Sequence, residues 1–216
     1  LSLLLSLSLS LSRGLFRSLC LLLLCCLTPL ILRSLSSLAS PPLSPQGAIP
    51  TGLVCHSMTR VDTRLVVIGG TDGRIQNDNV HVFDTEDRVW SQPQTQGIGP
   101  FARIGHTAVY FNTKIYIFGG YGADTGYVAD VHILDLDTVT WSRPEVSGAD
   151  KPDSRVGHTA NVFDKAMWVF GGGAGPSKNF NDMFRFDMDT CVWELLKEVD
   201  GLLPAKRYGH SSTEIN

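Results

Sequence analysis

Residues 51–216 hold only two cysteines, Cys55 and Cys191, with no C-x-x-C pair, no zinc spacing and no run of basic residues. The first excludes a disulfide framework or zinc module and leaves two free thiols, expected to be buried in strands. The second bears on nucleic acid. All 21 Asp and Glu follow residue 61, against 15 of the 18 Lys and Arg, so this segment carries a formal charge of −6. A nucleic-acid reader draws most of its affinity from phosphate neutralisation by a basic stripe, and none is present, so no nucleic-acid partner is expected. A phosphate-cradling glycine loop is missing too. Every Gly-Gly pair ends an apolar run and precedes a variable loop instead of a helix.

Residues 1–50 have a composition of their own: 19 Leu, 11 Ser, three Arg and no acid. Leu7–Ser12 alternates Leu and Ser strictly, as a CT dinucleotide repeat read in triplets would, and no methionine precedes Met58. The preferred reading is translated upstream sequence or a misjoined exon. The rival is a secretory signal, with Arg13 and Arg17 as its charged start, Leu19–Leu32 as its apolar stretch, and Ser37 and Ala39 before cleavage. A membrane span fits less well. The apolar run has 14 residues and is broken at Thr28-Pro29, short of the roughly 20 that a bilayer requires. Residues 40–50 read as a Pro-rich linker. The expected location is cytoplasmic, or secreted or membrane-associated if residues 13–39 act as a signal.

What the rest of the chain has is a period. Gly69-Gly70, Gly119-Gly120 and Gly171-Gly172 recur at steps of 50 and 52. Trp90, Trp141 and Trp193 follow at steps of 51 and 52, and His56, His106, His158 and His210 precede at 50, 52 and 52. Arg103, Arg155 and Arg207 keep phase three residues before the last three histidines. The blocks NVHVFD, DVHILD and DMFRFD lie between glycines and tryptophan. Five markers in one order at a near-constant spacing identify a repeat architecture.

Between the markers the text reads as short strands. Leu65–Ile68, Ile115–Phe118 and Met167–Phe170 are uninterrupted apolar runs ending at the glycine pair, the pattern of a strand covered on both faces. The NVHVFD-type blocks make a further strand, a brief one holds each Trp, and Asp84–Asp87, Asp135–Thr138 and Asp187–Thr190 supply turns. Four strands per unit of about 50 residues, each sheet covered by its neighbours, is a radial β-propeller. The first strand of repeat 1, where LVCHSM replaces Arg-x-Gly-His, is expected to be irregular.

The order Arg-x-Gly-His, apolar strand, Gly-Gly, Asp/Asn-Val/Met-x-x-Phe/Leu-Asp, Trp resembles the kelch repeat over residues 51–216. WD40 propellers have a shorter period, and their Trp precedes Asp; here Ser, Ser and Glu follow it. The resemblance implies an all-β, kelch-type propeller with four-stranded antiparallel blades: repeats at 51–102, 103–154 and 155–206, and the start of a fourth at 207–216. Three blades leave open sheet edges, so the chain is expected to be an incomplete ring from a larger protein.

Six histidines suggest a metal, but four share one repeat phase, and His81 and His132 share another. Equivalent positions in successive blades do not converge on one ion, so no metal or cofactor is expected and structural roles are favoured. The same holds for the three tryptophans. The in-phase arginines are expected to pair with acids of an adjacent blade or to line an axial mouth. Galactose oxidase and the plant specifier proteins resemble this fold and catalyse, so a fragment of a metalloenzyme is the alternative. Neither ligand set maps onto this chain, and the preferred reading is a non-catalytic scaffold or adaptor that binds another protein. Intervals 71–78, 121–129 and 173–181 share length but little text, and rigid scaffolds place recognition on such loops. The candidate contacts there are Arg74, Tyr121, Tyr127, Lys178 and Phe180, because aromatics and Arg dominate interface hot spots.

Overall fold

A computed structural model describes residues 44–197 and 201–215. The leader, and with it the choice between signal and upstream sequence, lies outside the described residues.

Of sixteen strands among the described residues, fourteen form three blades and two a separate ribbon. β1 (Gln46–Gly47), β2 (Ser57–Val61), β3 (Arg64–Ile68), β4 (Val80–Asp84) and β5 (Val89–Ser91) form blade 1 in the order β1-β5-β4-β3-β2. β6 (Gln96–Gly97), β7 (Thr107–Phe111), β8 (Lys114–Phe118), β11 (Val131–Asp135) and β12 (Thr140–Ser142) form blade 2 in the order β6-β12-β11-β8-β7, and the ribbon β9 (Tyr121–Gly122) and β10 (Gly126–Tyr127) stands apart. β13 (Thr159–Phe163), β14 (Ala166–Phe170), β15 (Met183–Asp187) and β16 (Val192–Leu195) form blade 3. β2 lies beside β7, and β7 beside β13, so the first strands of successive blades adjoin. β2 is a regular five-residue strand despite its departure from the repeat text.

Two sheets thus have five strands where the repeat reads as four. The addition is a short parallel pairing on the Trp strand: Gln46 and Gly47 on Val89 and Trp90, Gln96 and Gly97 on Thr140 and Trp141, with a single bridge from Ser147 to Val192 in blade 3. Gly47 therefore belongs to blade 1, although it lies in the stretch that reads as linker. A Cβ on Gly47, Gly97 or Gly148 would sit on the carbonyl oxygen of Trp90, Trp141 or Trp193 respectively, so each position admits only glycine.

The blades stack through period-2 alternation. In β8, Ile115 and Ile117 face blade 1 while Tyr116 and Phe118 face blade 3, and all four are buried. Burying each such side chain contributes roughly 1.5–3 kcal/mol. Trp141 and Trp193 are buried within these layers, and Trp193 packs on Phe118 of the preceding blade at 4.9 Å between ring centroids. Trp90 is half-buried against Phe83 at 5.0 Å.

The two layers are filled differently. Between blades 2 and 3 stand Phe111, Tyr116, Ile133, Phe186 and Met188. At the corresponding places between blades 1 and 2 stand Val61, Val66, Val82, Leu134 and Leu136, the first four smaller than their counterparts, and a gap of about 320 Å³ remains there.

The thiols do not occupy strands. Cys55 is exposed and Cys191 is half-buried, each in a bend or turn at φ 56°. Cys191 occupies the left-handed position that closes a hairpin, as Val139 and Arg88 do one and two blades earlier. That position calls for a particular backbone geometry, not for an apolar strand residue.

Candidate functional site

The polar residues that recur in phase are used inside and between blades. Arg103 is 3 % exposed. Its Nη1 donates to the Gly119 carbonyl at 2.9 Å and to Asp130 Oδ1 at 2.7 Å, Nη2 to Asp130 Oδ2 at 3.2 Å, and Nε to the Phe101 carbonyl at 3.1 Å. Arg155, wholly buried, repeats this with the Gly171 carbonyl at 2.9 Å, Asp182 at 2.7 and 3.1 Å, and the Asp153 carbonyl at 3.0 Å. The acid in each case belongs to the arginine's own blade, not to an adjacent one. The two groups sit 27 residues apart, which brings the start of a repeat onto the strand that follows its glycine pair. A bidentate fork suits a buried carboxylate because it satisfies both oxygens at once.

The histidines make the contacts between blades. His106 Nε2 lies 2.9 Å from Ser57 Oγ, His158 Nε2 2.8 Å from Thr107 Oγ1, and His210 Nε2 3.1 Å from Thr159 Oγ1. The second glycine of each pair joins the same seam: the amides of Gly70, Gly120 and Gly172 donate to the carbonyls of Arg103, Arg155 and Arg207 at 2.8–2.9 Å. A side chain at Gly119 would strike the Arg155 carbonyl and the His158 ring at 2.8–2.9 Å.

Burial pushes the His106 and His158 imidazoles down to about 3, aided by the charges of Arg103 and Arg155. Burial also lowers His81 and His210. Burial opposes ionisation of Asp130, but hydrogen bonds from His132 and Arg103 outweigh it and hold the carboxyl well below its usual range. Such groups are neutral rings and satisfied ions. Among the described residues no group of three or more His, Cys, Asp or Glu is placed to hold a metal.

Exposed chemistry gathers at a cleft of about 750 Å³ between blades 1 and 2. One wall is the 72–79 loop with Arg74, Ile75 and Asp78, and the connection 92–102 runs along it with Phe101. The other wall is the tip of the β9–β10 ribbon with Asp124, and the buried Trp141 closes the floor. Asp72 Oδ1 accepts the amides of Arg74 and Ile75 at 2.8 and 2.9 Å, which shapes the loop and lowers the Asp72 pKa. Gln76 Oε1 accepts the Ala123 amide at 2.8 Å and ties the walls together across the blades. Ile75 is 71 % exposed and Phe101 69 %, and among the described residues Arg74 and Asp78 form no ion pair.

The five candidate residues are therefore divided. Arg74 lines the cleft. Tyr121 and Tyr127 pair across the base of the ribbon, with centroids 5.0 Å apart, in a strand that the loop text did not signal. Phe180 lies under the Arg155 guanidinium at 4.3 Å and serves that buried ion pair. Lys178 sits over Phe180 at 5.5 Å and reaches Asp153 at 3.1 Å, so these two belong to blade 3 and not to the cleft. Ile75 and Phe101 did not stand out in the sequence. Their signal is a large apolar residue in a stretch with no strand period, flanked by Gly, Pro and Asp.

Antiparallel blades stacked through alternating apolar faces, glycine pairs and a Trp strand define a repeat propeller of the kelch architecture. The KLHDC2/KLHL20/DRC7 Kelch-repeats domain matches residues 30–216, and this chain belongs to the kelch-repeat family. It is 34% identical over 162 residues to acyl-CoA-binding domain-containing protein 4 of Arabidopsis thaliana, covering 74% of this chain and 24% of that protein. Kelch domain-containing protein 3 of Bos taurus is 32% identical over 157 residues (66% and 41%). Kelch domain-containing protein 10 of Rattus norvegicus is 29% identical over 181 residues (78% and 43%). The chain spans less than half the length of these relatives.

Proposed function

We propose that this chain is a non-catalytic protein-interaction module of the cytoplasm and that a partner protein seats in the cleft between blades 1 and 2. The observation that carries the reading is the exposure of Ile75 and Phe101 on one cleft beside Arg74. Large apolar side chains bordering a concave, polar-rimmed site supply hot-spot energy when a partner covers them. The buried histidines and arginines support the non-catalytic part, since each is engaged in a blade contact.

The test is photo-crosslinking in cells from residues 75 and 101 of the full-length natural protein, with the exposed hairpin positions 63 and 86 as controls. A partner that crosslinks from the first two positions and not from the controls supports the reading. Equal labelling at all four positions overturns it.

A further inference from the structure

We infer that the gap between blades 1 and 2 is a binding site for a small phenol, a ring with one hydroxyl and a short alkyl group. The site adjoins the cleft, with Val80 and Pro93 lining both, but the inference does not depend on the proposed partner there.

The molecule contains its own control. Each strand of blade 1 has a counterpart in blade 2, and the two blades present corresponding faces to the blade that follows. Where blade 2 presents Phe111 and Tyr116 to blade 3, blade 1 presents Val61 and Val66 to blade 2. The receiving residue facing them shrinks as well, from Phe186 to Leu134, while Met188 is exchanged for Leu136 of similar volume. Two aromatic rings are missing from one side of the layer; on the other side Tyr110 stands where blade 3 has Val162, yet it does not line the gap, which stays open beside Val61 and Val66. Close-packed interiors do not normally leave such room.

The gap is lined by Val61, Val66, Val80, Val82, Leu134 and Leu136, with Arg64, Asp84 and Ser91 also at its edge. Its volume of about 320 Å³ is roughly twice the 150 Å³ of an apolar cavity that takes up benzene, and lies at the lower end of natural ligand pockets. Apolar walls with a few polar groups at one end match a ligand with an apolar body and a single polar handle.

The filled layer shows which handle fits. Tyr116 is a phenol on a short alkyl stem, and its hydroxyl donates to the Met188 carbonyl at 3.2 Å. Leu136 stands where Met188 stands, after the same Asp in the equivalent hairpin, and both amides are tied to the preceding hairpin, Leu136 to Thr113 at 2.9 Å and Met188 to Lys165 at 3.3 Å. The acceptor that Tyr116 uses thus has a counterpart beside the gap. A free alkylphenol would restore from solution what Val66 lacks.

Ligand-observed NMR titration of the full-length natural protein with 4-ethylphenol, with ethylbenzene as the hydroxyl-free comparison, tests this. Saturable 4-ethylphenol binding near a Kd of about 1 mM or tighter is expected, as suits a fragment of that size. Ethylbenzene should bind about fivefold more weakly for want of the hydrogen bond. Val66→Tyr should raise the Tm and weaken 4-ethylphenol at least about tenfold, because the new ring occupies the gap. Val61→Phe fills the same space from the neighbouring strand and decides the matter if Val66→Tyr fails to fold. No saturable binding at several times that concentration overturns the inference. So does binding that survives whichever filled variant folds, or filled variants that release a protein partner while 4-ethylphenol never bound.

Discussion

Thr107 Oγ1 and His158 Nε2 lie 2.8 Å apart across the seam between blades 2 and 3, and the same pairing joins Ser57 to His106 one blade earlier. Both rings are buried beside an arginine, where a charged imidazolium is disfavoured, and this makes the seams sensitive to acid. The folded values of both histidines stand near 3, below the 6.5 of an unstructured imidazole, so between those limits the unfolded chain binds more protons. Their contribution is complete above about pH 6.5 and falls as pH drops toward 3. At pH 5 the loss is on the order of 2 kcal/mol per histidine. Calorimetry of the full-length protein at pH 7.5 and 5.0 should show a clear fall in Tm, reduced in His158→Gln; a flat profile would show that these rings protonate freely.

Arg155 should be less replaceable than its charge suggests. Lysine keeps the charge but cannot reach Asp182 and the Gly171 carbonyl with a planar fork. Arg155→Lys is expected to cost about 2 kcal/mol and Arg155→Ala about 3–5 kcal/mol, the latter by leaving a carboxylate without its partner. Equilibrium urea unfolding measures both, and equal stability of Arg155→Lys and the natural protein would refute the role assigned to the fork.

The β7–β8 turn is a place where stability can be raised. Asn112 and Thr113 both adopt positive φ, 48° and 62°, as a type I′ turn requires, and threonine is strained there. Thr113 is exposed, and the hydrogen bond it provides, from the Leu136 amide to its carbonyl, involves backbone alone. Thr113→Gly should therefore stabilise by about 1 kcal/mol. A Tm below that of the natural protein would contradict this.

The aromatic and basic loop residues should separate into two groups in binding and melting experiments. Phe101→Ser and Ile75→Ser should each weaken partner binding by about 2 kcal/mol with Tm nearly unchanged, because neither is packed. Arg74→Ala should do the same more mildly. Phe180→Ala should lower Tm by uncovering Arg155 and leave binding alone. Partner binding lost in Phe180→Ala but kept in Phe101→Ser would move the contact surface to blade 3.

The architecture was readable because its markers are positions with one physical solution. Gly119 recurs because a side chain there would strike the backbone of the next repeat, Gly120 because one would strike Ile104 and His106 at the start of its own, and His106 recurs because a hydroxyl waits opposite it. The parallel strand at Gln46–Gly47 was missed because it has only two residues and follows Pro-rich text. Its signal, Gly47, Gly97 and Gly148 each ahead of a proline and an Arg-x-Gly-His or its remnant, was there to be aligned. The phase of Arg103 is compatible with an acid of an adjacent blade or with an axial mouth, because phase alone does not say which of several groups a long side chain reaches; it pairs within its own blade. The Tyr121–Tyr127 ribbon is reduced to the single bridges Thr71–Gln76 and Gly173–Asn179 after the other two glycine pairs, and loop text that varies between repeats does not announce it. The cleft is likewise made by what differs between repeats, and a periodic reading discards such differences.

The histidine bonds also have a direction. Every hydroxyl waits for a ring that lies 49 to 51 residues further along the chain, beyond the last strand of the hydroxyl's own blade. A blade emerging from the ribosome has therefore completed its sheet before its latch has been synthesised. Each seam closes only when the following Arg-x-Gly-His segment appears, so the blades lock in the order of translation, with the newest blade always the least secured.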